Sequence, residues 1–441
     1  MTPLRIALLS YRSKPHCGGQ GIYVRHLARE LAALGHRVDV FSGQPYPELD
    51  GPPIGSRGGQ VNLRPLPSLD LYRDDDPFRT PRLREWRDLV DVLEVATMWT
   101  GGFPEPLTFS LRAARTLASL PHRYDVVHDN QSLGYGLLAL DRLGLPLVAT
   151  VHHPITVDKR LEIEAAPSLL RRLSLRRWYG FTSMQARVAR RLPRIVTVSE
   201  NSARDIVTEF GVDPSTVTVI PVGVDITTFA PPTVPRVPGR IVSVASSDSP
   251  MKGAHVLLEA VAKLGTERDV ELVMVGQPKP GGPVMRLVDE LGIADRVRFV
   301  SGLSDGSLAA LFGSAEVAVV PSLYEGFSIP AVEAMACETP VVATRAGALP
   351  EVVGDCGVLV PPGNPSDLAG ALGDLLDDDD RRHALGVAGR RRVEQRFTWR
   401  AVAVATAEIY REAIVARAAA AGPVQEEPVQ EEPVQERHAD R

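Results

Sequence analysis

Several features that would place the chain in a class at once are scarce or absent from its 441 residues. Three cysteines, Cys17, Cys337 and Cys356, are too few and too scattered for a disulfide framework or a zinc site, which predicts a reducing cytoplasmic setting. No stretch approaches the ~20 consecutive apolar residues of a membrane span. The apolar residues 6–9 are too few for a signal peptide. A net charge of −5 gives no reason to expect nucleic-acid binding.

The composition that remains is that of an ordinary globular protein, with 44% hydrophobic and 23% charged residues. A chain of this length is too long for one core, so we expect two domains and a tail. Prolines between residues 231 and 238 predict a stiff linker, and the repeated Pro-Val-Gln-Glu-Glu near the end has nothing to bury. The predicted segments are a first domain over 1–221, a linker over 222–239, a second domain over 240–400, a closing helix over 401–421 and a disordered tail over 422–441.

The chain opens with a strand, a glycine loop, a helix and a second strand, which is the pattern of a Rossmann-like mononucleotide unit. Gly19-Gln20-Gly21 partly imitates a dinucleotide fingerprint, but Val24 stands where the third glycine belongs, so a dehydrogenase is poorly supported. A glycine loop before a helix can cradle a phosphate or a hydroxyl group. The alternative is a tight turn without a ligand.

The stretch over residues 325–333 lies between two apolar strands and enters a helix near Ile329. Gly326, Phe327 and Ser328 would direct free N–H groups outward from this helix N-terminus, where the dipole favours an anion. Glu325 precedes the helix and Glu333 lies within it, so the two carboxylates can contact different ends of one ligand. A phosphate flanked by hydroxyl-rich groups, as in a nucleotide-sugar, fits this arrangement. The alternative is a solvated helix face.

Glu325 and Glu333, with Gly326-Phe327 and the run Ala-Val-Glu-Ala-Met-Ala, resemble the signature of retaining GT-B glycosyltransferases of family four. That family includes sucrose synthases and bacterial phosphatidylinositol mannosyltransferases. The resemblance covers residues 4 to about 415 and implies an α/β fold of two Rossmann-like domains facing each other across a cleft, with a closing helix that crosses back. It implies that Glu325 approaches the donor sugar, that amides of residues 326–329 hold the diphosphate and that Glu333 binds the ribose.

Two predicted strands end in polar groups, at Asn130 and at His152-His153. Ligands collect beyond the carboxyl ends of strands in open α/β sheets, although a satisfied structural histidine is the alternative. Thr150-Val151-His152 resembles the family's Thr-x-His, which implies that His152 contacts the donor sugar. The double glycine Gly18-Gly19 resembles the loop that family members place beneath the transferring sugar and the acceptor. We therefore expect Gly19 on the donor side and assign the acceptor side to Gly18, Gln20, Asn130 and His153.

Lys252 precedes a helix predicted to begin near Ala254, so its ammonium group favours a phosphate there. Family members usually carry an arginine five residues earlier, where this chain has Ser247, so one of two cations at the donor diphosphate is missing. Val300 ends a strand at the point where related enzymes hold the nucleotide base. Ser247 and Val300 are accordingly predicted donor positions, and residues 347–351 resemble the family's Gly-x-Pro-Glu turn.

Residues 43–121 show little regular pattern apart from a helix predicted over 83–98. The run Asp74-Asp75-Asp76 suggests an Asp-x-Asp metal motif, but it lacks a preceding apolar strand and lies among Arg73, Pro77 and Arg79, which indicates a solvated loop. Amides and Lys252 can stabilise a departing diphosphate by themselves. We therefore expect neither a metal nor a cofactor.

Residues 159–194 are strongly basic, with Lys and Arg interleaved with Leu, Trp, Tyr and Phe. Such a stretch can form an amphipathic helix on an anionic bilayer, and phosphoinositide mannosyltransferases use a face of this kind. The alternative is a solvated helix whose apolar side packs in the core. The sequence thus allows a cytoplasmic protein with peripheral contact to the inner face of a membrane.

These observations favour a metal-independent retaining transferase that moves a hexosyl group from a UDP- or GDP-sugar to a hydroxyl of a glycan, lipid or small metabolite. His152, Glu325 and Lys252 are the predicted catalytic residues. Two alternatives stay open: a nucleotide-sugar epimerase on the same fold, and a binding protein that lost catalysis when the cation at Ser247 was lost. Neither the donor base and sugar nor the acceptor can be read from the sequence.

Overall fold

The computed structural model describes residues 2–13, 19–53, 55–56, 58–73, 75–120, 123–244 and 249–421. In this part of the chain, two all-parallel β-sheets form the centres of two α/β domains, with helices packed on both faces of each sheet. The GT-B architecture of two Rossmann-like domains, expected from the sequence, is confirmed. No helix in these ranges is both long and apolar enough to cross a membrane.

The first sheet has seven strands in the order β3-β2-β1-β4-β5-β6-β7. Its strands are β1 (Arg5–Ser10), β2 (Arg37–Ser42), β3 (Gln60–Pro65), β4 (Val126–Asn130), β5 (Leu147–Val151), β6 (Ile195–Thr197) and β7 (Val217–Val219). The helices of this domain are α1 (Gly19–Ala33), α2 (Leu89–Trp99), α3 (Glu105–Ala118), α4 (Gly136–Arg142), α5 (Thr156–Ala165), α6 (Leu169–Trp178), α7 (Thr182–Ala189) and α8 (Glu200–Phe210).

The second sheet has six strands in the order β10-β9-β8-β11-β12-β13. Its strands are β8 (Arg240–Val244), β9 (Glu271–Val275), β10 (Val297–Val300), β11 (Val317–Val320), β12 (Val341–Thr344) and β13 (Gly357–Val360). The helices that follow its strands are α9 (Ala254–Leu264), α10 (Pro283–Leu291), α11 (Asp305–Ser314), α12 (Ile329–Ala336), α13 (Leu349–Val353), α14 (Pro365–Leu376), α15 (Asp379–Arg396) and α16 (Trp399–Ala421).

The strand order reverses once in each sheet, beside its first strand. In the first sheet the chain adds β2 and β3 on one side of β1 and then places β4 on the other side. The second sheet repeats this pattern around β8, with β11 across the reversal. A crevice opens beyond the carboxyl ends of the strands at such a switch point, and it is the usual ligand site of open α/β sheets. A ligand site is therefore expected beside the segments that follow β1, β4, β8 and β11.

The central strands are apolar because both of their faces are covered by helices. All four residues of β11 are buried, and so are all five of β4, including the polar His128, Asp129 and Asn130. Polar groups at 0–1% exposure must find hydrogen-bond partners inside the protein. The interior end of β4 is therefore the place where the first domain carries a polar network.

The last helix, α16, begins beside the second domain and packs along α1 of the first domain. Trp399, at its start, stacks on His26 with ring centroids 5.1 Å apart. Further along the helix, the hydroxyl group of Tyr410 lies 2.6 Å from Nδ1 of His128 in β4. The chain thus ends by tying its second half to the core of its first domain.

The region between residues 43 and 121 is more regular than the sequence predicted. The helix expected over 83–98 is wrong in extent: a short 3-10 turn at Leu83–Glu85 is separated from α2 by Asp88, whose carboxylate caps α2 by accepting the N–H groups of Val90 and Asp91. Strand β3 and helix α3 were both missed. Residues of β3 are half-buried or exposed because it is an edge strand, so it lacks the apolar run of the central strands.

Candidate active site

A cavity of about 750 Å³ lies between the two domains, beyond the switch points of both sheets. The segments after β1, β4 and β5 form one wall, and the segments after β8 and β11 form the other. Of the predicted donor and catalytic residues, Lys252, Glu325, Gly326, Phe327, Ser328 and Ile329 line the wall of the second domain. Gly19, Gln20, His152 and His153 line the wall of the first domain.

Glu325 is held in place by a cation and a hydroxyl group. Lys252 Nζ donates to Glu325 Oε1 at 2.8 Å, and Ser322 Oγ donates to the same oxygen at 2.7 Å. The carboxylate is only 9% exposed, so the ammonium group is its main charge compensation. Gly347, at a φ of +55°, passes so close that a Cβ there would lie 2.2 Å from the carbonyl oxygen of Glu325. The glycine of the predicted Gly-x-Pro-Glu turn thus leaves room for the Glu325 backbone.

Ser328 precedes the first turn of α12 and has a left-handed backbone, with φ 90° and ψ 79°. Few non-glycine residues adopt this conformation, and such strain concentrates at functional sites. The Ser328 hydroxyl group is buried and has no hydrogen-bond partner among the described residues. Because the first N–H groups of a helix are also unpaired within the helix, the N-terminus of α12 offers the cavity several free donors. An anion is the ligand that such an arrangement suits.

Glu333 lies four residues after Ile329, about one turn into α12. It is 8% exposed, and it is not among the residues that line the cavity. Burial raises the pKa of Glu333 to about 8, and the nearby Asp305 adds to the shift. Val300 also stays outside the cavity, at the end of β10, where its carbonyl oxygen accepts the N–H of Gly276 at 2.8 Å. Gly18 and Ser247 lie outside the described residues.

The wall of the first domain centres on His152, which follows β5. His152 Nε2 lies 2.8 Å from Oδ1 of Asn130, the last residue of β4. The side chain of Gln131 accepts the backbone N–H of His152 and donates to the carbonyl oxygen of His153, each at 2.8 Å. The structure therefore brings Asn130 behind His152, outside the cavity, whereas Gln131 lines it.

The surroundings of His152 favour its neutral form. Burial lowers the pKa of its imidazole to about 3, and the neighbouring His153 adds to the shift. The edge of the Tyr23 ring packs on it with centroids 4.8 Å apart. The Tyr23 hydroxyl group lies 3.1 Å from Thr150 Oγ1, which in turn lies 2.7 Å from His128 Nε2. Burial also lowers the pKa of His128 to about 3, so the contacts that run from Tyr23 through Thr150 to His128 favour neutral groups.

Helix α8 of the first domain fastens the loop that carries Glu325. The hydroxyl groups of Ser199 and Ser202 donate to the carbonyl oxygen of Gly326 at 2.7 and 3.1 Å. The Tyr324 hydroxyl group donates to Asp205 Oδ2 at 2.6 Å. These contacts join the two domains beside the cavity and position the loop relative to the first domain.

A second contact with α8 comes from Glu351 in α13. Its carboxylate accepts the backbone N–H groups of Glu200 and Asn201, each at 2.9 Å. Two of the unpaired donors at the start of α8 are thus satisfied from the other domain. Glu351 is the glutamate of the predicted Gly-x-Pro-Glu turn, so the sequence marked the residue without revealing its interdomain contact.

Sequence reasoning missed several residues that line the cavity. Gln131 directly follows the polar end of β4, and Tyr324 directly precedes Glu325. Both are therefore adjacent in sequence to residues that the motifs had identified. The residues contributed by α5 gave no signal, because only the tertiary structure folds that helix over the cavity. These are Asp158, Leu161, Glu162 and Glu164.

The described part of the acidic run before α2, Asp75 and Asp76, lies on the surface, as predicted for a solvated loop. Asp75 and Asp76 form ion pairs with Arg73 at 3.1 and 3.6 Å and have side chains 74% and 56% exposed. Asp74 lies outside the described residues. No group of three or more His, Cys, Asp or Glu side chains gathers at a possible metal site in the described ranges. The expectation that the protein works without a metal stays a prediction.

The fold and the interdomain cleft are those of a GT-B glycosyltransferase. The structure of sucrose-phosphate synthase from Thermosynechococcus elongatus matches with a TM-score of 0.70 and 24% identity, covering 94% of this chain and 100% of that chain. Anabaena HepE in complex with UDP-glucose matches with a TM-score of 0.64 and 18% identity, covering 93% and 100%. At 24% and 18% identity, these two matches show that this chain shares the GT-B fold.

The sequence comparisons show the family. Residues 17–228 match Glycosyltransferase Family 4, and residues 227–392 match Glycosyl transferases group 1. An MMP alpha-(1->4)-mannosyltransferase of Mycolicibacterium hassiacum is 57% identical over 420 residues, covering 95% of this chain and 100% of that protein. A D-inositol 3-phosphate glycosyltransferase of Kineococcus radiotolerans is 32% identical, covering 95% and 97%. The chain belongs to the family 4 glycosyltransferases, which confirms the resemblance and sets aside the epimerase and the binding protein.

Proposed function

We propose that the protein transfers a mannosyl group from a nucleoside diphosphate mannose to a saccharide hydroxyl group, forming an alpha-(1->4) linkage. The observation that carries this proposal is the 57% identity to an alpha-(1->4)-mannosyltransferase over the whole of that relative. The other features of the cavity support the separate steps.

The wall of the second domain is the proposed site of the donor diphosphate. Lys252 is the single Lys or Arg among the described residues that line the cavity. It stands beside the N-terminus of α12, so the ammonium group and the free N–H groups can act on the same anion. The negative charge that grows on the departing diphosphate is then stabilised by groups already in place, which is the most effective use of such groups in catalysis.

Glu325 is the proposed contact to the transferring sugar. In the donor-free state its carboxylate pairs with Lys252, and Ser322 donates to the same oxygen. A diphosphate that engages Lys252 would leave Glu325 oriented by Ser322, with carboxylate oxygens free to accept sugar hydroxyl groups. His152 would contact a further hydroxyl group of that sugar, and Glu333 would bind the ribose. No metal takes part in this account, because Lys252 and the helix N-terminus compensate the leaving charge.

Retention at the anomeric carbon is supported by stereochemistry. The mannosyl group of a nucleoside diphosphate mannose is alpha-linked, and the relative that is 57% identical forms an alpha linkage. An alpha-linked donor that gives an alpha-linked product keeps its configuration. We therefore propose a retaining transfer.

The acceptor that fits the other end of the cavity is an uncharged saccharide. The side chains of Asp158, Glu162 and Glu164 line this end, and no described Lys or Arg accompanies them. Carboxylates accept hydrogen bonds from hydroxyl groups and repel a phosphate. An uncharged acceptor would differ from that of the relatives at 28–32% identity, the D-inositol 3-phosphate glycosyltransferases, whose name specifies a phosphorylated acceptor.

The experiment that tests the proposal is a panel of GDP-, UDP- and ADP-sugars with alpha-linked manno-oligosaccharides, in the presence of a chelator. We expect one nucleoside diphosphate mannose to be consumed and the acceptor to gain one hexose by mass spectrometry. The corresponding glucose donor should react far more slowly. Transfer of glucose in preference to mannose would contradict the proposed donor, and preference for inositol phosphate over the oligosaccharide would contradict the proposed acceptor.

We also propose peripheral contact with an anionic membrane through α6. This helix buries only Leu175, whereas Leu169, Leu170 and Leu173 are 75%, 81% and 58% exposed. The exposed Arg171, Arg172 and Arg176 lie on the same helix. Exposed leucines next to arginines suit the headgroup boundary of an anionic bilayer.

Co-sedimentation with vesicles tests this contact. We expect binding to phosphatidylglycerol vesicles, weaker binding to phosphatidylcholine vesicles, and loss of binding in a variant with L169Q, L170Q and L173Q. Leu143 is 52% exposed at the end of α4, so L143Q is a matched control that should bind as the unmodified protein does. Equal binding to both vesicle types, or to neither, would contradict the proposal.

A further inference from the structure

Two consecutive amide side chains at the end of β4 hold His152. Asn130 Oδ1 lies 2.8 Å from Nε2 of the imidazole, and Gln131 makes two hydrogen bonds to the backbone of residues 152 and 153. Gln131 adopts a left-handed φ of 59°, which turns the chain sharply after the strand. The end of β4 is thus shaped around the residue that follows β5.

We infer that Asn130 is a positioning residue that fixes His152 as the neutral tautomer with its proton on Nε2, so that Nδ1 accepts a hydrogen bond from a hydroxyl group of the transferring sugar. This inference rests on the proposed contact between His152 and the donor sugar. It replaces the expectation, drawn from the sequence, that Asn130 binds the acceptor.

The tautomer follows from the chemistry of the contact. Asn130 is oriented with its amide oxygen towards Nε2 of His152, and in this orientation the imidazole nitrogen must carry the proton, because an amide oxygen can only accept a hydrogen bond. A neutral imidazole has one N–H group, which leaves Nδ1 as the acceptor. The sugar group that His152 recognises must then donate, as a hydroxyl group does.

The burial of Asn130 argues against a purely structural role. Its side chain is 0% exposed, and its Nδ2 group has no hydrogen-bond partner among the described residues. A buried amide N–H group without a partner is destabilising, and an apolar side chain of similar size would avoid that cost. The one hydrogen bond that the Asn130 side chain makes in the described structure is the one to His152.

An amide suits this position better than a carboxylate. The groups that face the imidazole are the Tyr23 ring from α1, His128 from β4 and the adjacent His153, whose Nε2 lies 2.9 Å from Asp158 of α5. In the described residues no carboxylate hydrogen-bonds to His152. A carboxylate in place of Asn130 would favour the imidazolium ion. Positive charge beside the sugar would oppose the oxocarbenium character that glycosyl transfer develops at the anomeric carbon.

The first test needs no substitution at Asn130. Long-range ¹H–¹⁵N spectra of histidine-labelled protein distinguish the two neutral tautomers and the cation, and the His152 signals can be assigned by their loss in H152Q. We expect the neutral tautomer protonated on Nε2 between pH 6 and about 8, the range in which an unperturbed histidine titrates, because burial lowers the pKa of His152 well below this range. A ring protonated on Nδ1, or a cationic ring, would overturn the inference.

The second test is the pH dependence of turnover in N130D. A carboxylate next to the imidazole should raise the pKa of His152 by about 1–3 units, so the acid limb of kcat/KM should move upward by that amount. Activity should fall as the pH drops through the new pKa, because the imidazole then becomes a cation. The control N364D places the same change at the half-buried N-cap of α14, where the profile should stay that of the unmodified protein.

The outcomes separate this inference from the proposed function. An N130D profile that superposes on that of the unmodified protein would overturn the positioning role. Normal transfer by H152A would instead refute the contact between His152 and the sugar, while the tautomer seen by NMR would still report on Asn130. If N130D does not fold, the spectra of the unmodified protein decide.

Discussion

The two walls of the cavity differ in the kind of polar group that they present. The wall of the second domain carries an ion pair, Lys252 with Glu325, and a strained Ser328 at a helix N-terminus. The wall of the first domain carries the neutral His152 with its amide partners and, towards α5, carboxylates. The second domain therefore presents an ion pair and a helix N-terminus to the cavity, whereas the first domain presents neutral and acidic groups.

This difference matches the two tasks of glycosyl transfer. In the proposed reaction the leaving diphosphate gains negative charge, which Lys252 and the N-terminus of α12 would stabilise, whereas the sugar and the acceptor present hydroxyl groups and need hydrogen-bond acceptors. The division also explains why α8 is tied to the Glu325 loop and to Glu351, because both walls must keep their spacing for one substrate to contact both.

The largest effect is expected from removing Lys252, the positive charge on the wall of the second domain. K252A should lower kcat by about 10²–10³-fold, because the departing diphosphate loses a preorganised cation. The matched control is K263A, since Lys263 lies on α9 and contacts Ser366 on the surface. Steady-state kinetics with the mannosyl donor measures both. If kcat of K252A lies within a few fold of that of the unmodified protein, the wall of the second domain does not act through the charge of Lys252. The proposed difference between the two walls would then be wrong.

A substitution at Glu325 tests whether the wall of the second domain also orients the sugar. E325A should lower turnover by about 10²-fold, the cost of a misplaced reacting group, while binding of the nucleoside diphosphate changes much less. The split between kcat and nucleotide affinity, measured by kinetics and calorimetry, distinguishes sugar positioning from loss of the site. If E325A turns over normally, the assignment of this wall is wrong.

The pH dependence of donor binding sharpens the role of Glu333. Burial raises the pKa of this carboxyl group to about 8, so it is mostly protonated at neutral pH in the donor-free protein. Acceptance of ribose hydroxyl groups favours the carboxylate, so donor affinity should rise with pH up to about 8 by as much as about tenfold per unit, with proton release on binding. Calorimetry in buffers of different ionisation enthalpy measures this release, and E333Q should abolish it. A pH-independent affinity would contradict the role.

The smallest effect is expected at the contact that joins the walls. E351Q removes the charge that caps α8 from the other domain, which should cost about 0.5–2 kcal/mol of stability. Denaturant unfolding measures the free energy, and E394Q, which changes the exposed carboxylate of an ion pair within α15, serves as the control. Unchanged stability together with unchanged kcat would show that the walls do not depend on this contact.

The strand, loop and helix that form the wall of the second domain could be predicted from the sequence because they are local. Strand β11, the loop with Glu325 and helix α12 follow one another within a few residues, and apolar runs mark both strands beside them. Helix α8 also ends at a local signal, because its C-cap Gly211 adopts the left-handed conformation that stops a helix. Apolar runs that form strands and glycines that end helices are signals carried by neighbouring residues. A single sequence is therefore enough to recognise them.

The first-domain wall could be predicted only in part because it is assembled from distant segments. His152 was recognised by its place after a strand, but its contact with Asn130 spans 22 residues, and that of Ser199 with Gly326 spans 127. Helix α5 contributes carboxylates to the cavity only through its tertiary position. Nothing in the local pattern distinguishes a residue in the cavity from one directly behind it, which is why Asn130 was expected among the acceptor ligands.

The most direct test of the central claim is the anomeric configuration of the product. The protein would be incubated with a nucleoside diphosphate mannose, a manno-oligosaccharide and a chelator, and the new linkage would be identified by ¹H–¹³C NMR. The account predicts a single alpha-(1->4)-linked mannosyl residue formed without metal. A beta linkage would contradict retention, and a product formed only with added metal would contradict the role of Lys252 and the α12 N-terminus.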